Sequence, residues 1–365
     1  MNTTSDPKLC AITDKVARGE RLSAADGEFL LRTDVNLHDV GELADQVRRR
    51  VAGERVFYNI NAHLNPTNVC FYRCALCAYS RDPNDPRAFV MDDDRMLHIA
   101  AEAAAAGCTE LHIVGGVHPE KPFAWYRDII ARLHDAQPRL HLKAWTAVEI
   151  DWFAQQTGRS VGAVLEELVE AGLGSLPGGG AEIFDSQVRT QICPRKAGAD
   201  TWIAVHREAH RLGLRSNATM LFGHIEAHEH RIDHLVRLRR LQDETGGFQA
   251  FVPLVFHPEN TRMTHVEKAS ADDVLRTVAV SRLMLDNFPH VKAYWVSLGL
   301  GVAQVALSYG ADDLDGTVRQ EQIHHAAGAD SPEVLTVDQL RHLIAETGRA
   351  PMERDSLYRP VSGSG

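Results

Sequence analysis

The sequence has no long apolar run, which bears on where the chain can reside. No stretch of its 365 residues approaches the ~18 uninterrupted apolar residues of a transmembrane helix. The first eight residues, Met1 to Lys8, also lack the basic and then apolar pattern of a secretory signal. We therefore expect a cytoplasmic protein with no membrane partner.

A cationic excess is also absent. Lys and Arg number 39 against 49 Asp and Glu, giving a formal net charge of −10, and the longest basic run is Arg48–Arg50. Nucleic-acid binders usually carry a basic face, so we expect no nucleic-acid partner. The G-x-G-x-x-G and G-x4-G-K-[ST] loops are missing too, which disfavours the nucleotide folds built on them. These absences favour small-molecule partners.

Cysteine is scarce but unevenly distributed. Of six cysteines, Cys70, Cys74 and Cys77 fall within eight positions, with the spacing C-x3-C-x2-C. A structural zinc site takes four ligands, and an electron-transfer iron–sulfur cluster usually takes four cysteines. Three thiolates on a four-iron cluster would leave one iron open. The alternatives are three unrelated thiols in a reduced loop, or a zinc site completed by His63, whose spacing fits no zinc pattern.

Strand-like and helix-like segments alternate through the middle of the chain. Such repeats imply parallel strands, and six to eight units favour an α/β TIM-type (β/α)6–8 barrel over an open sheet. We predict strands near 56–61, 111–114, 141–145, 173–176, 215–220, 248–256 and 291–296, with an eighth unit near 309–316. The predicted division is an N-terminal helical cap (1–54), the barrel (55–316), and a C-terminal helical extension with a flexible tail (317–365).

Polar and glycine motifs follow the predicted strands repeatedly. In an α/β barrel the carboxyl ends of the strands form one rim, which carries the active site. Asn217 and Thr219 should face the same side of their strand because side chains alternate. The rim residues are Gly115, Gly116, His118, Thr146, Glu149, Gly178, Gly179, Gly180, Glu182, Asn217, Thr219, His224 and His257.

The cysteine spacing resembles that of the radical S-adenosylmethionine (SAM) superfamily. The resemblance implies a [4Fe-4S] cluster on Cys70, Cys74 and Cys77, whose open iron chelates SAM. It also implies that one electron splits SAM to give a 5′-deoxyadenosyl radical, so a reductant such as flavodoxin or ferredoxin is an expected partner. Predicted SAM contacts, each with a plain packing, turn or ion-pair alternative, are Tyr79, Gly115, Gly116, Glu182, Arg189, Asn217 and Thr219.

Longer strings resemble one branch, the futalosine-pathway enzymes of menaquinone biosynthesis and the deazaflavin-forming synthases, and within it the aminofutalosine synthase family. They include His63–Cys70, Gly115–Glu120, Ala144–Glu149, Leu176–Phe184, Ser216–Met220, Phe256–Asn260 and Gly310–Gly316. The resemblance implies addition of the adenosyl radical to 3-[(1-carboxyvinyl)oxy]benzoate, ether migration, and loss of carbon dioxide.

That substrate carries two carboxylates, and an acidic protein must supply local cationic or hydrogen-bonding groups for them. The candidate catalytic residues are His118, His224 and His257, and Arg195 is a further candidate for carboxylate binding. Two alternatives stay open. One is a cyclic dehypoxanthinylfutalosine synthase or deazaflavin-precursor synthase component, and the other is a non-catalytic iron–sulfur or zinc binding module.

Overall fold

The computed structural model describes residues 6–361. Its helices lie mostly outside a ring of parallel strands. They are α1 (Pro7–Arg18), α2 (Ala24–Leu30), α3 (Leu37–Ala52), α4 (Asp93–Ala105), α5 (Phe123–Ala136), α6 (Ala147–Thr157), α7 (Val161–Glu170), α8 (Ser186–Ile192), α9 (Ala199–Arg211), α10 (His228–Thr245), α11 (Ala271–Met284), α12 (Trp295–Leu298), α13 (Leu300–Ala306), α14 (Ile323–Ala327) and α15 (Val337–Ala345).

The strands are short and buried. They are β1 (Arg55–Asn59), β2 (Asn61–Leu64), β3 (Glu110–Ile113), β4 (His141–Ala144), β5 (Ser175–Leu176), β6 (Arg215–Phe222), β7 (Phe248–Val255), β8 (His290–Val291), β9 (Asp313–Gly316) and β10 (Ala350–Glu353). A seven-stranded sheet runs in the order β2-β3-β4-β5-β6-β7-β8, with every pair parallel. The strand–helix units predicted from the sequence are therefore present in order.

Backbone hydrogen bonds close this sheet into a ring. Only Ile60 separates β1 from β2, and β1 pairs with β9. The other edge is joined by the Lys292–Asp313 bridge, where the Ala293 amide donates to the Asp313 carbonyl at 2.7 Å. With β1 and β2 counted as one interrupted strand, eight strands surround the core. The predicted TIM-type barrel is confirmed, at the upper end of the expected strand count.

The predicted strand 291–296 is wrong beyond Val291. Only His290 and Val291 pair with β7, and Trp295 begins α12. The reason is tertiary. The Trp295 indole donates to the Gly316 carbonyl at 2.9 Å, and the Ser297 hydroxyl accepts from the Val255 amide at 2.8 Å. These buried contacts override the strand preference of Tyr, Trp and Val.

The N-terminal helices pack against two outer helices of the barrel, α10 and α11. A Cβ at Gly27 would lie 2.8 Å from Ile232 and Met284, so α2 sits directly on α10 and α11. Arg276 of α11 donates to the carbonyls of Leu30 and Val35. The helical segment therefore covers the outer helices and leaves the open end of the barrel free.

The C-terminal region contains a strand as well as the predicted helices. Strand β10 pairs in parallel with the outer edge of β1, so the helical-extension prediction is incomplete. Arg354, which follows β10, holds Asp313 of β9 at 2.6 Å, and both side chains are fully buried. The predicted flexible tail, 362–365, lies outside the described residues. Within 6–361, no helix has both the length and the apolar character needed to cross a bilayer.

The buried ion pair between Arg354 and Asp313 should contribute strongly to the stability of the pairing of β1 with β9 and β10. Removing one partner of a buried pair leaves an unpaired buried charge, at a cost of about 3–5 kcal/mol. We expect Arg354→Ala to lower the free energy of unfolding by that amount in urea denaturation. The matched control is Arg359→Ala, since Arg359 pairs with Asp355 at 2.6 Å on the surface and should contribute less than about 1 kcal/mol. Equal losses in the two variants would contradict this role.

Candidate active site

One cavity opens at the carboxyl ends of the strands, where the polar motifs were predicted to meet. It brings together residues nearly 190 positions apart in the sequence, from Cys70 to His257. Ten of the thirteen predicted site residues line it: Cys70, Cys74, Cys77, Tyr79, Gly115, Gly116, Glu182, Asn217, Thr219 and His257. His118, His224 and Arg189 are not among its lining residues.

The cysteine loop begins where β2 ends and is held in place by its own polar residues. Asn68 donates to the Arg87 carbonyl at 2.9 Å, and the Thr67 hydroxyl donates to the Phe89 carbonyl at 2.7 Å. Cys70, Cys74 and Cys77 are all free thiols. Burial raises the pKa of Cys74 to about 12, so this thiol is unsuited to act as a free nucleophile.

The arrangement of the thiols also bears on the kind of metal centre. Among residues 6–361, no three or more His, Cys, Asp or Glu side chains are arranged to hold one metal ion. A zinc site needs four ligands around a single ion. In a four-iron cluster each thiolate binds a different iron, so wider spacing is required. The three thiols line one cavity, as a cluster held by three cysteines requires, and they are not grouped around the position of a single ion.

Gly115 and Gly116 are required by the cysteine loop itself. A Cβ on Gly116 would lie 2.2 Å from the Val69 carbonyl oxygen, and one on Gly115 would lie 2.9 Å from that of Thr67. The Gly116 amide donates to the Thr67 carbonyl at 2.8 Å. We predicted close approach of these glycines to a ligand. The structure adds a nearer neighbour, the backbone that leads into Cys70.

Glu182 is paired with a lysine that the sequence analysis missed. The Lys196 ammonium donates to the Glu182 carboxylate inside the cavity. Burial alone would raise the pKa of Glu182, but the charge of Lys196 holds it below its ordinary value. Glu182 has a φ of +48°, which is uncommon for a residue with a side chain. Its carbonyl accepts from the Leu221 amide at 2.8 Å, a contact that helps to fix this strained conformation.

Arg189 supports the Glu182 loop from behind. Its guanidinium donates to the backbone carbonyls of Ala181, Ile183 and Ala197. All of these acceptors are main-chain atoms, so Arg189 holds the loop in shape. The predicted direct contact of Arg189 with SAM is not supported by this position.

Two of the predicted catalytic histidines, and Arg195, also lie away from the cavity lining. His118 accepts from the Glu120 amide at 3.1 Å within its own turn. The His224 side chain is fully buried, lies 2.9 Å from the Glu226 carboxylate and donates to the Leu221 carbonyl at 3.1 Å. Arg195 is exposed and donates to the Phe71 carbonyl at 3.1 Å. These contacts, to backbone atoms and to the Glu226 carboxylate, account for the positions of the three side chains.

Three cavity residues carry buried polar atoms without a protein partner. They are the Tyr79 hydroxyl, the Asn217 side-chain oxygen and His257 Nδ1, in side chains 7%, 6% and 6% exposed. Buried polar groups normally have partners, so these atoms fit contacts to a ligand. Thr219 also faces the cavity, as predicted, although its hydroxyl donates to the Gly178 carbonyl at 2.7 Å.

His257 has a defined tautomer. Its Nε2 lies 2.9 Å from the Ser297 carbonyl, an acceptor, so Nε2 carries the proton. Burial lowers the pKa of His257, which favours the neutral ring. Its Nδ1 is therefore an unprotonated acceptor in the cavity.

Glu149 connects two of the rim loops. Its carboxylate accepts from the Thr146 amide at 2.6 Å, as part of the capping box of α6, and from the Gly115 amide at 3.3 Å. Burial raises the pKa of Glu149 to about 7. The S/T-x-x-E pattern in the sequence could have predicted the cap. The contact with Gly115 joins residues 34 positions apart and had no local signal.

The floor of the cavity is charged, and the sequence analysis missed it. Lys143 lies 2.5 Å from Glu110, and Lys292 lies 3.1 Å from Asp315. These side chains line the cavity together with His63, His112, Tyr294, Glu321 and His324. Glu110 and His112 alternate on β3, so a period of two with polar residues facing inward was the available signal. This alternation was overlooked because a strand buried on both faces is expected to be apolar.

Two family models and several proteins of known function are similar to this chain in sequence. The family model of the radical SAM superfamily matches residues 64–238, and that of the CofH/MqnC C-terminal region matches residues 245–363. An aminodeoxyfutalosine synthase of Thermus thermophilus is 44% identical, covering 99% of this chain and 98% of that protein. An aminodeoxyfutalosine synthase of Streptomyces coelicolor is 43% identical, covering 95% and 92%.

A third relative is named for a different transfer reaction. The 5-amino-6-(D-ribitylamino)uracil–L-tyrosine 4-hydroxyphenyl transferase of Methanopyrus kandleri is 38% identical, covering 96% of this chain and 95% of that protein. Among solved structures, the hydrogenase maturase HydG of Carboxydothermus hydrogenoformans has a TM-score of 0.76 at 16% identity, covering 96% and 81%. Methylornithine synthase (PylB) has a TM-score of 0.72 at 18% identity, covering 93% and 97%.

The barrel and its three-thiol loop define an enzyme that uses an iron–sulfur cluster and SAM. This chain belongs to the radical SAM superfamily, in the branch that contains the aminodeoxyfutalosine synthases and the 4-hydroxyphenyl transferases. Its cofactor is accordingly a [4Fe-4S] cluster, with SAM as the second molecule bound at the site.

The close contact of Gly116 with the cysteine loop predicts that a side chain at position 116 will disturb cluster binding. In Gly116→Ala the new methyl group would overlap the Val69 carbonyl, so the cysteine loop must shift. We expect iron and sulfide contents after anaerobic reconstitution to fall to less than about half of wild type. Gly301→Ala is the control, because a Cβ at Gly301 meets nothing within 4 Å. Full cluster content in Gly116→Ala would show that the loop tolerates displacement.

The raised pKa of Glu149 predicts how the stability of the folded protein depends on pH. Its folded pKa of about 7 lies above the ordinary value of 4.5. The folded state therefore binds this proton more tightly, and the free energy of unfolding should fall as pH rises from about 4.5 to 7, by on the order of 3 kcal/mol. Urea denaturation between pH 5 and 8 should show a flatter slope for Glu149→Gln. The exposed Glu54→Gln serves as control, and parallel curves for wild type and Glu149→Gln would contradict the assignment.

Proposed function

We propose that this enzyme is an aminodeoxyfutalosine synthase of menaquinone biosynthesis. It would join the 5′-deoxyadenosyl group of SAM to 3-[(1-carboxyvinyl)oxy]benzoate, with rearrangement and loss of carbon dioxide. The observation that carries the proposal is the set of three free thiols that line the cavity at the carboxyl ends of the barrel strands. Near full-length identity of 43–44% to two such synthases supports the choice of substrate.

Cys70, Cys74 and Cys77 would hold three irons of the cluster. When bound, the cluster supplies the electron that cleaves SAM to methionine and the 5′-deoxyadenosyl radical. Tyr79, Gly115, Gly116, Glu182, Asn217 and Thr219 would contact SAM, since all of them line the cavity. Glu182 keeps its negative charge through Lys196 and so fits the ammonium or a ribose hydroxyl of SAM.

The protein residues would control the environment of the reaction. Buried apolar side chains such as Val252 and Phe256 line part of the cavity above its charged floor, and they would limit the access of water and stray hydrogen donors. His257 Nδ1 would accept a hydrogen bond, or a proton as the ring regains aromaticity, because Ser297 holds the proton on Nε2. His118 and His224 would act only through the loops that they stabilise.

The electron would come from an acidic reductant such as flavodoxin or ferredoxin, in the reducing environment of the cytoplasm. Arg195 and Arg262 are exposed, donate to the carbonyls of Phe71 and Arg73 in the cysteine loop, and take part in none of the ion pairs within 6–361. On a chain of net charge −10, two unpaired guanidinium groups beside the cluster loop favour an acidic partner there.

A second candidate is a reaction of the same branch on another substrate. The 38% identity to a 4-hydroxyphenyl transferase and the match to the CofH/MqnC C-terminal region favour it. Tyrosine with 5-amino-6-(D-ribitylamino)uracil and dehypoxanthinylfutalosine are the corresponding substrates. A non-catalytic metal module is disfavoured, because it would not need ligand-facing polar atoms such as Asn217 Oδ1.

Anaerobic reconstitution tests the proposal. The reduced protein with SAM and 3-[(1-carboxyvinyl)oxy]benzoate should yield aminodeoxyfutalosine and methionine, detected by mass spectrometry. Cys74→Ala should lose the cluster and reduce turnover by at least about 10³-fold, since no group replaces the missing ligand. Cys108→Ala, which removes a buried thiol outside the cavity lining, should retain both. Turnover of either alternative substrate set, without aminodeoxyfutalosine, would refute the proposal.

A further inference from the structure

Three basic side chains form a row inside the barrel. His63 on β2 is in register with His112 on β3, and His112 is in register with Lys143 on β4. All three line the cavity. Each lies one residue before the end of its strand, so the row lies beneath the loops that carry the cysteines and Gly115. We call His63, His112 and Lys143 the basic row.

The two histidine rings are ordered but lack protein partners. They stack with centroids 4.7 Å apart and planes 6° apart. Within residues 6–361, neither ring makes a hydrogen bond to another protein group, although other buried histidines do, such as His206 with Ser216 at 2.9 Å. Stacking fixes the orientation of both rings while their nitrogens remain available to a ligand.

The surrounding charges are already paired. Lys143 lies 2.5 Å from Glu110, and Lys292 lies 3.1 Å from Asp315. Glu321 lies 3.0 Å from His325 and accepts from the amides of Ile323 and His324. Burial lowers the pKa of His63, and burial followed by the charge of His63 lowers that of His112 to about 3. Both rings are therefore neutral at pH 7 without a ligand.

A carboxylate fits this row better than a neutral or cationic group. Each neutral imidazole offers one N–H donor, and Lys143 has further N–H donors beyond the one that Glu110 accepts. A bound anion would also stabilise a protonated imidazole, and a charge-assisted hydrogen bond is stronger than a neutral one. The other cavity-lining lysines are also paired, Lys196 with Glu182 and Lys292 with Asp315, so the imidazole rings of the row remain available to an anion.

We propose that the basic row binds one carboxylate of the aromatic dicarboxylate substrate, and that a row histidine takes up a proton as the substrate binds. This assignment rests on the proposed function and names the subsite beneath SAM. His63 and His112 are substrate-binding residues in this scheme, and Glu110 positions Lys143.

The first test compares two replacements at each histidine. His63→Phe and His112→Phe keep a stacked ring but remove the donor, so the KM for 3-[(1-carboxyvinyl)oxy]benzoate should rise about 10- to 100-fold. His63→Asn and His112→Asn keep a donor and should show a smaller rise. The Kd for SAM should stay within about twofold of wild type in all four variants. His206→Phe removes a buried histidine outside the cavity and should leave KM unchanged.

The second test measures proton uptake directly, first in the wild-type enzyme. Calorimetric titration of the oxidised, SAM-bound wild-type enzyme with the same dicarboxylate, in buffers of different ionisation enthalpy, should show net proton uptake near pH 7.5. The uptake should shrink in His63→Asn, because the pKa of His112, at about 3, is too low for one carboxylate to raise it to 7.5. Zero proton uptake in wild type, or an unchanged KM in both Phe variants, would overturn the assignment of the basic row and leave the proposed function standing. Absence of wild-type turnover would overturn the proposed function, and this assignment with it.

Discussion

The structure depends on the close backbone contact between the cysteine loop and the turn after β3. Thr67 and Val69 lie against Gly115 and Gly116 at distances that leave no room for a side chain. Glu149 then ties the Gly115 amide to the start of α6. The three thiols are therefore positioned by main-chain contacts across two strands and a helix. A loop with the same cysteines but without this support would not present them to one cavity.

The second constraint is the free-energy cost of burying charged side chains, which the protein reduces by pairing each acid with a lysine. The barrel interior contains Glu110, Lys143, Lys292 and Asp315, and each acid has a lysine partner. Such pairs add little net stability compared with apolar packing, because desolvation opposes their attraction. Their persistence in a cavity fits a functional requirement. They give the interior polarity without net charge, so an entering ligand sets the local balance of charge.

The general architecture was readable from the sequence because it depends on periodicity and composition. Alternating strand and helix patterns predicted the barrel, and the spacing of Cys70, Cys74 and Cys77 predicted the cluster loop. The period of two correctly placed Asn217 and Thr219 on the cavity side. These signals are local, and local preference agrees with the global fold at these positions.

The roles of individual polar side chains were harder to predict. Arg189, His118 and His224 have chemistry suited to an active site, yet nearby backbone atoms contact all three and none lines the cavity. Lys196 was missed because no local pattern links it to Glu182, 14 residues earlier, and the basic row was missed because its members come from three different strands. The end of β8 was misjudged because Gly316 and Val255 draw Trp295 and Ser297 into a helix. Residue type alone does not show which of several polar side chains will face the ligand.

The pairing of β1 with β9 and β10 has a consequence for biogenesis. The Arg55 end of β1 meets Ala350, almost 300 residues later in the chain. During synthesis the cysteine loop leaves the ribosome long before its barrel can close, because pairing of such high sequence separation requires nearly the whole polypeptide. Iron and sulfide would then be delivered to a finished chain, and nascent chains would need reducing conditions to keep three neighbouring thiols from oxidation.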